Sequence, residues 1–259
     1  MKLTLEGIKD CELWNKAGIT LPGYDVEKVS QKAKEEPKWV HFGIGNIFRI
    51  FIGGIADGLL EEGVLDRAIT CVETFDYDVV DKIYDPYDNL GLSVILHGDG
   101  TREYKVLGSL AEAVKAQSAD PKQWNRLKKI FASKSLQLVS FTITEKGYSV
   151  SEKDLKNGLN PTLIMGKVTA LLLERFQTGA YPLTVQSMDN CSHNGDKVKQ
   201  AVVSYAKEWV AQGLVPAEFL AYVQNGEKVT YPWSMIDKIT PRPDEKVQNM
   251  LKKDGFEDT

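Results

Sequence analysis

Apolar positions along this chain fall into short runs separated by polar, glycine-bearing turns, and the runs alternate between strand-like and helical spacing. Residues 1–37 are polar, with turn residues at Gly18, Pro22, Gly23 and Pro37; they read as an N-terminal arm with one short helix over Val26–Lys34. Lys38–Phe42 is a strand-like run that ends at Gly43, and apolar residues then dominate from Ile47 to Leu60 before Glu61, Glu62 and Gly63 close the segment. That is strand, glycine turn, helix. Ala68–Val72 predicts a second strand, with Glu73 at its C-terminal end. Leu92–Leu96 and Tyr104–Leu107 flank His97-Gly98-Asp99-Gly100, and a D-G turn between two such runs predicts a β-hairpin.

Further along, the pattern predicts a helix over Pro121–Phe131, a buried strand over Leu136–Thr144, a helix over Ile164–Phe176 and a strand over Pro182–Met188. Val198, Ala201, Val202, Tyr205 and Trp209 then recur at helical spacing, predicting a helix over Gly195–Val210. Tyr231–Pro241 reads as a strand carrying the acid–base pair Asp237 and Lys238, and the charged tail beyond it as one short amphipathic helix. Strands alternating with helices imply an α/β fold, a Rossmann-like doubly wound, mostly parallel sheet with an added hairpin. The expected division is 1–37 as arm, 38–241 as the sheet domain and 242–259 as tail.

Composition narrows the function. The chain has 259 residues, 42% hydrophobic and 26% charged, enough to bury a core without disulfide or metal staples. A net charge of -4 argues against a dedicated nucleic-acid binder, which carries a basic stripe. Cys11, Cys71 and Cys191 form no C-x-x-C pair, and His41, His97 and His193 share no metal-ligand spacing, so no metal site is expected. No signal peptide is read at Met1–Asp10, and no apolar run approaches the ~20 residues of a membrane span. The expectation is a soluble, cytoplasmic protein.

Four segments carry candidate chemistry. In His41-Phe42-Gly43-Ile44-Gly45-Asn46-Ile47-Phe48-Arg49, a strand runs through G-x-G into a helix. Glycine lets the backbone turn sharply and approach a diphosphate, which the amides at the helix N-terminus then hold. Phe48 stands where a third glycine is usual, and Arg49 is either a phosphate ligand or a solvated helix arginine. Glu73 is placed to receive ribose hydroxyls, or is an ordinary strand-end acid; a carboxylate there favours NAD over NADP. Thr142-Ile143-Thr144-Glu145-Lys146-Gly147-Tyr148 follows an apolar strand, so Thr144 and Glu145 would lie near the nicotinamide, or form a plain turn. In Ser187–Gly195, Asn190 offers an amide to an oxygen that gains charge during hydride transfer, and Ser192 or Asn194 can cap the next helix.

Together these segments resemble the mannitol dehydrogenase family of polyol-specific long-chain dehydrogenases. Tyr231–Pro241 is similar to the family's Ser/Thr-Met-Val-Asp-Arg-Ile stretch, with Ile236 and Lys238 as conservative changes. Thr142–Tyr148 looks like the T-x-T-E-K-G-Y segment of fructuronate reductases and mannitol 2-dehydrogenases, and Ser187–Gly195 like the S-x-D-N…N-G segment. The Gly43–Arg49 loop is closer to the G-x-G-N-x-x-R version of mannitol-1-phosphate dehydrogenases and tagaturonate reductases. The resemblance implies NAD as cofactor, a polyol or sugar-acid substrate, and Asn190 as a ligand of the reacting oxygen. Family members continue into a mostly helical domain that supplies a catalytic lysine in a K-x-x-x-x-N-x-x-H helix, and nothing here matches it. The chain therefore resembles the N-terminal domain of a longer enzyme. It is expected to bind NAD and to turn over polyols poorly, or to be a non-catalytic NAD-binding module.

Overall fold

Two sheets organise the chain, and a computed structural model describes residues 1–241 and 245–256 of it. The strands are β1 (Ile19–Thr20), β2 (Trp39–Phe42), β3 (Ile69–Glu73), β4 (Gly91–Leu96), β5 (Arg102–Leu107), β6 (Leu110–Lys115), β7 (Leu138–Phe141), β8 (Leu183–Ser187) and β9 (Val229–Thr230). The helices are α1 (Cys11–Lys16), α2 (Val26–Glu35), α3 (Gly53–Glu61), α4 (Pro121–Ala132), α5 (Glu152–Leu155), α6 (Ile164–Gln177), α7 (Asn194–Ala211), α8 (Ala217–Gln224) and α9 (Glu245–Lys253).

The larger sheet has the order β6-β3-β2-β7-β8-β9, and each of its pairings is parallel. Counted from β2, that is 3-2-1-4-5-6, the doubly wound order of dinucleotide-binding folds. The winding reverses between β2 and β7, so a crevice opens beyond their C-terminal ends. Successive strand residues face opposite sides. Val72 joins a core of Phe42, Phe141, Leu127, Val168 and Val202 under α4, α6 and α7, whereas Cys71 joins Ile44, Phe48, Ile52 and Ala56 under the other face. Asp120 caps α4 by accepting from Lys122 N and Gln123 N, with Pro121 in the first turn where its missing N–H costs nothing.

Several expectations change. The hairpin forms as predicted but lies outside the main sheet, in the order β1-β5-β4. Residues 1–37 are a folded layer, with α1, β1 and α2 built around buried Trp14, whose indole donates to Gly7 O at 2.8 Å. The helix expected from Ile47 divides into a π-helix, Ile47–Ile52, followed by α3. The long strand over Leu136–Thr144 shortens to β7, and Tyr231–Pro241 crosses the sheet end as a strap without strand pairing. The tail helix α9 folds back: Asp254 accepts from Arg102 at 3.0 Å and Tyr104 at 2.5 Å, and Phe256 meets Trp14 with ring centroids 5.9 Å apart. The parts of the tail at 242–244 and 257–259 lie outside the described residues.

Asp57 of α3 ties the small layer to the main sheet. Its buried carboxylate accepts from Tyr24 and from Gly108 N at 3.0 Å and pairs with Lys105 at 2.7 Å. Among the described residues, no helix is long and apolar enough to cross a membrane.

Candidate functional site

The site begins where β2 ends. Gly43 has φ +87, and a Cβ there would stand 2.2 Å from Thr142 O, so only glycine lets the ends of β2 and β7 come together. Gly43 N donates to Val72 O at 2.9 Å, Thr142 N to Phe42 O at 2.9 Å and Thr142 Oγ1 to Gly43 O at 2.7 Å. Gly45 is the opposite case: it is exposed, and a Cβ on it would meet nothing within 4 Å. The turn therefore faces open space at the N-terminal end of the Ile47–Ile52 helix, where first-turn amides lack intrahelical partners.

The other residues of the turn divide by role. Phe42, Ile44 and Phe48 are fully buried, so they offer a ligand backbone only. Phe48 stacks on His41 at 4.0 Å, filling with a ring the gap that a third glycine would close by direct helix–strand contact. Asn46 and Ile47 are half-buried, and Arg49 donates to Asn46 Oδ1 at 2.9 Å. His41 is bracketed by Ser140 Oγ at 2.7 Å and Thr142 Oγ1 at 2.9 Å, and burial pushes its pKa down to about 3. It is a neutral core histidine.

Glu73 ends β3 as expected, but it is 7% exposed and one carboxylate oxygen is already committed. That Oε1 accepts from Thr74 N at 2.8 Å, Phe75 N at 3.0 Å and Asp76 N at 3.3 Å, shaping the turn after the strand. Oε2 makes none of these bonds.

At the ends of β7 and β8 the three segments singled out in the second half of the chain converge. Asp189 joins two of them, accepting from Ile143 N and Thr144 N, each at 3.0 Å, and from Tyr148 OH at 2.5 Å. Burial and the Asp189 charge raise the Tyr148 phenol well above its ordinary range, so it stays a donor. Asn194, fully buried, joins the third: its amide donates to Asp189 O at 3.1 Å and Ser234 O at 2.9 Å and accepts from Ser234 N at 3.1 Å. Gly195 makes that approach possible, since a Cβ would lie 2.4 Å from Tyr231 O. Asn194 is a cross-link here, and His193, in left-handed conformation, takes the cap position and stacks on Trp233 at 4.3 Å.

Exposed Asn190 directs its amide at Asp237 Oδ1, 3.4 Å away. Lys238 does not join this pair; its ammonium sits 5.5 Å from the centre of the Phe51 ring, so the strap spans from β8 to the glycine-turn helix. Exposed Glu145 turns outward to Lys197 of α7. Sequence reasoning missed Asp189 and the structural role of Asn194, whose available signal was a run of polar residues too dense for one helix cap. Among the described residues, no group of three His, Cys, Asp or Glu is arranged to hold a metal ion.

Residues 37–255 match the family described as the mannitol dehydrogenase Rossmann domain. The chain belongs to the mannitol dehydrogenase family. The D-mannonate oxidoreductase of Thermotoga maritima is 46% identical, over 99% of this chain and 49% of that protein. The polyol:NADP oxidoreductase of Gluconobacter oxydans is 29% identical, over 91% of this chain and 48% of that protein. The fold is shared with Pseudomonas fluorescens mannitol 2-dehydrogenase, solved as a ternary complex with NAD and D-mannitol. That match has a TM-score of 0.78 at 24% identity and covers 98% of this chain and 50% of that one. The chain thus spans about half the length of the mannitol dehydrogenase family members it matches.

Proposed function

We propose that residues 38–241 are the NAD-binding half of a dehydrogenase that interconverts a sugar alcohol or aldonate with its 2-keto sugar. The observation that carries this reading is the open glycine turn at the winding reversal between β2 and β7. The diphosphate rests on the backbone of Gly43–Phe48, with Asn46 and Arg49 beside it. The free oxygen of Glu73 takes a ribose hydroxyl, and its charge disfavours the extra phosphate of NADP. Thr142–Thr144 and the Asn190 amide border the nicotinamide end, where Asn190 holds the substrate oxygen. Glu145, turned towards Lys197, acts on the shape of the loop rather than on the cofactor. NAD supplies the hydride-accepting ring; the protein orients it and steadies charge on the reacting oxygen.

The mannonate/fructuronate pair is the first substrate pair to test, because the 46% identical relative is named for mannonate. The general base is assigned to the part of the longer relatives that this chain does not span. Lys197 is held by Glu145 and Lys238 lies over Phe51, so neither reaches the Asn190–Asp237 pair. This favours a chain that binds cofactor yet turns over little alone, since a general base contributes ~10²–10⁴-fold to rate.

Titration calorimetry with NADH and NADPH, followed by assays on mannonate, mannitol and altronate, tests the proposal. NADH binding tighter than NADPH, with turnover at least about 100-fold below that of a two-domain relative, supports it. Failure to bind NADH overturns it.

A further inference from the structure

We infer that Asp189 is a positioning residue that holds the nicotinamide end of the crevice in a strained, binding-ready shape. The inference rests on the cofactor site proposed above and adds a residue to it. Thr144 has φ +64 and ψ 164. That conformation is essentially reserved for glycine, and a β-branched residue enters it only when its surroundings force it there. The forcing group is Asp189. Its two oxygens take the consecutive amides of Ile143 and Thr144, and Tyr148 OH closes the far end of the same turn onto Asp189 Oδ2. The backbone that carries this carboxylate is itself anchored, through Asp189 N to Ser187 Oγ at 3.2 Å and Asn194 Nδ2 to Asp189 O at 3.1 Å.

The clamp sits at the C-terminal ends of β7 and β8, the second mononucleotide half of the sheet, where a dinucleotide places its nicotinamide. Both oxygens of Asp189 are turned to protein donors, so it acts through the Ile143–Thr144 backbone. Asparagine at 189 keeps the shape but replaces one acceptor with an N–H, so it cannot serve both amides. Glycine at 144 adopts the same backbone without being forced.

The test compares NADH with ADP-ribose, which lacks the nicotinamide, on the whole chain by calorimetry. Asp189→Asn weakens NADH about tenfold, the scale of one lost charge-assisted hydrogen bond, and leaves ADP-ribose within about twofold. Thr144→Gly raises Tm, because glycine takes the same backbone without strain, and its own NADH affinity is the reference for the double variant. The double variant regains most of the lost NADH affinity, a rescue that a mere loop anchor would not show. If Asp189→Asn alone does not fold, the double variant carries the test against Thr144→Gly, with near-equal NADH affinities expected. Equal losses for NADH and ADP-ribose, no loss for either, or no rescue overturn the inference while leaving the cofactor site standing. Wild-type chain that binds neither compound overturns both.

Discussion

His41 shows how a residue type associated with chemistry is spent on packing. Its ring nitrogens are shared between Ser140 and Thr142, its face lies on Phe48, and its pKa falls from an ordinary 6.5 to about 3 because burial penalises the cation. Below pH 6.5 the unfolded chain therefore takes up a proton that the folded one refuses. Stability falls as pH drops from 6.5 towards 3, a window that opens above the ordinary carboxylate range. Between pH 7 and pH 5 the loss from this group is about 2 kcal/mol. Urea denaturation at the two pH values should show it, and His41→Gln should flatten the difference by that amount. The G-x-G turn and the place of Glu73 at the end of β3 were legible at this scale, because a tight turn with positive φ demands glycine and the apolar run of β3 stops at Glu73. That Glu73 commits one oxygen to its own turn was not, since bonds to the next three amides leave no trace in spacing.

Elements were legible wherever periodicity and burial agree. The helices α2, α4, α6 and α7 fall within two residues of their predicted bounds at either end. The third strand of the sheet, β6, was missed because Leu110-Ala111-Glu112-Ala113-Val114-Lys115 is written in good helix formers. Pairing with β3 along Thr70–Glu73 overrides that preference. The strap at Tyr231–Pro241 erred the other way: its alternation reads as a strand, but Asn194 and Gly195 draw its backbone onto the β8 loop and away from a sheet partner. Between elements, Arg175 is the main fastener. Fully buried on α6, it donates to the carbonyls of Phe131, Ser133, Leu136, Tyr181 and Pro182 at 2.8–3.0 Å, pinning the turns that precede β7 and β8. Arg175→Lys has one ammonium for those acceptors and should cost about 3 kcal/mol in chemical denaturation. A loss below about 1 kcal/mol would show that water replaces the guanidinium freely.

At the scale of the molecule, the doubly wound class followed from strand–helix alternation alone, whereas the second, smaller sheet did not. Its parts lie far apart in sequence, and β1 is too short to announce itself. Asp57 governs how the two sheets hold together. Replacing it with alanine leaves Lys105, Tyr24 and the Gly108 amide without their shared acceptor, and should cost about 3 kcal/mol. Limited proteolysis of Asp57→Ala should cut within residues 1–25 before it reaches the parallel sheet; simultaneous cleavage of both would show that the small layer has no separate opening.

The packing of Phe256 on Trp14 and of Leu251 on the cluster around it has a mechanical consequence. Tension applied between Leu3 and Phe256 is taken first by that small apolar knot and by the Asp254 contacts, side chain by side chain. The parallel strands of the main sheet stay shielded until the knot has given way, so such a pull frees these two outer segments before it disturbs the ground on which a cofactor would lie.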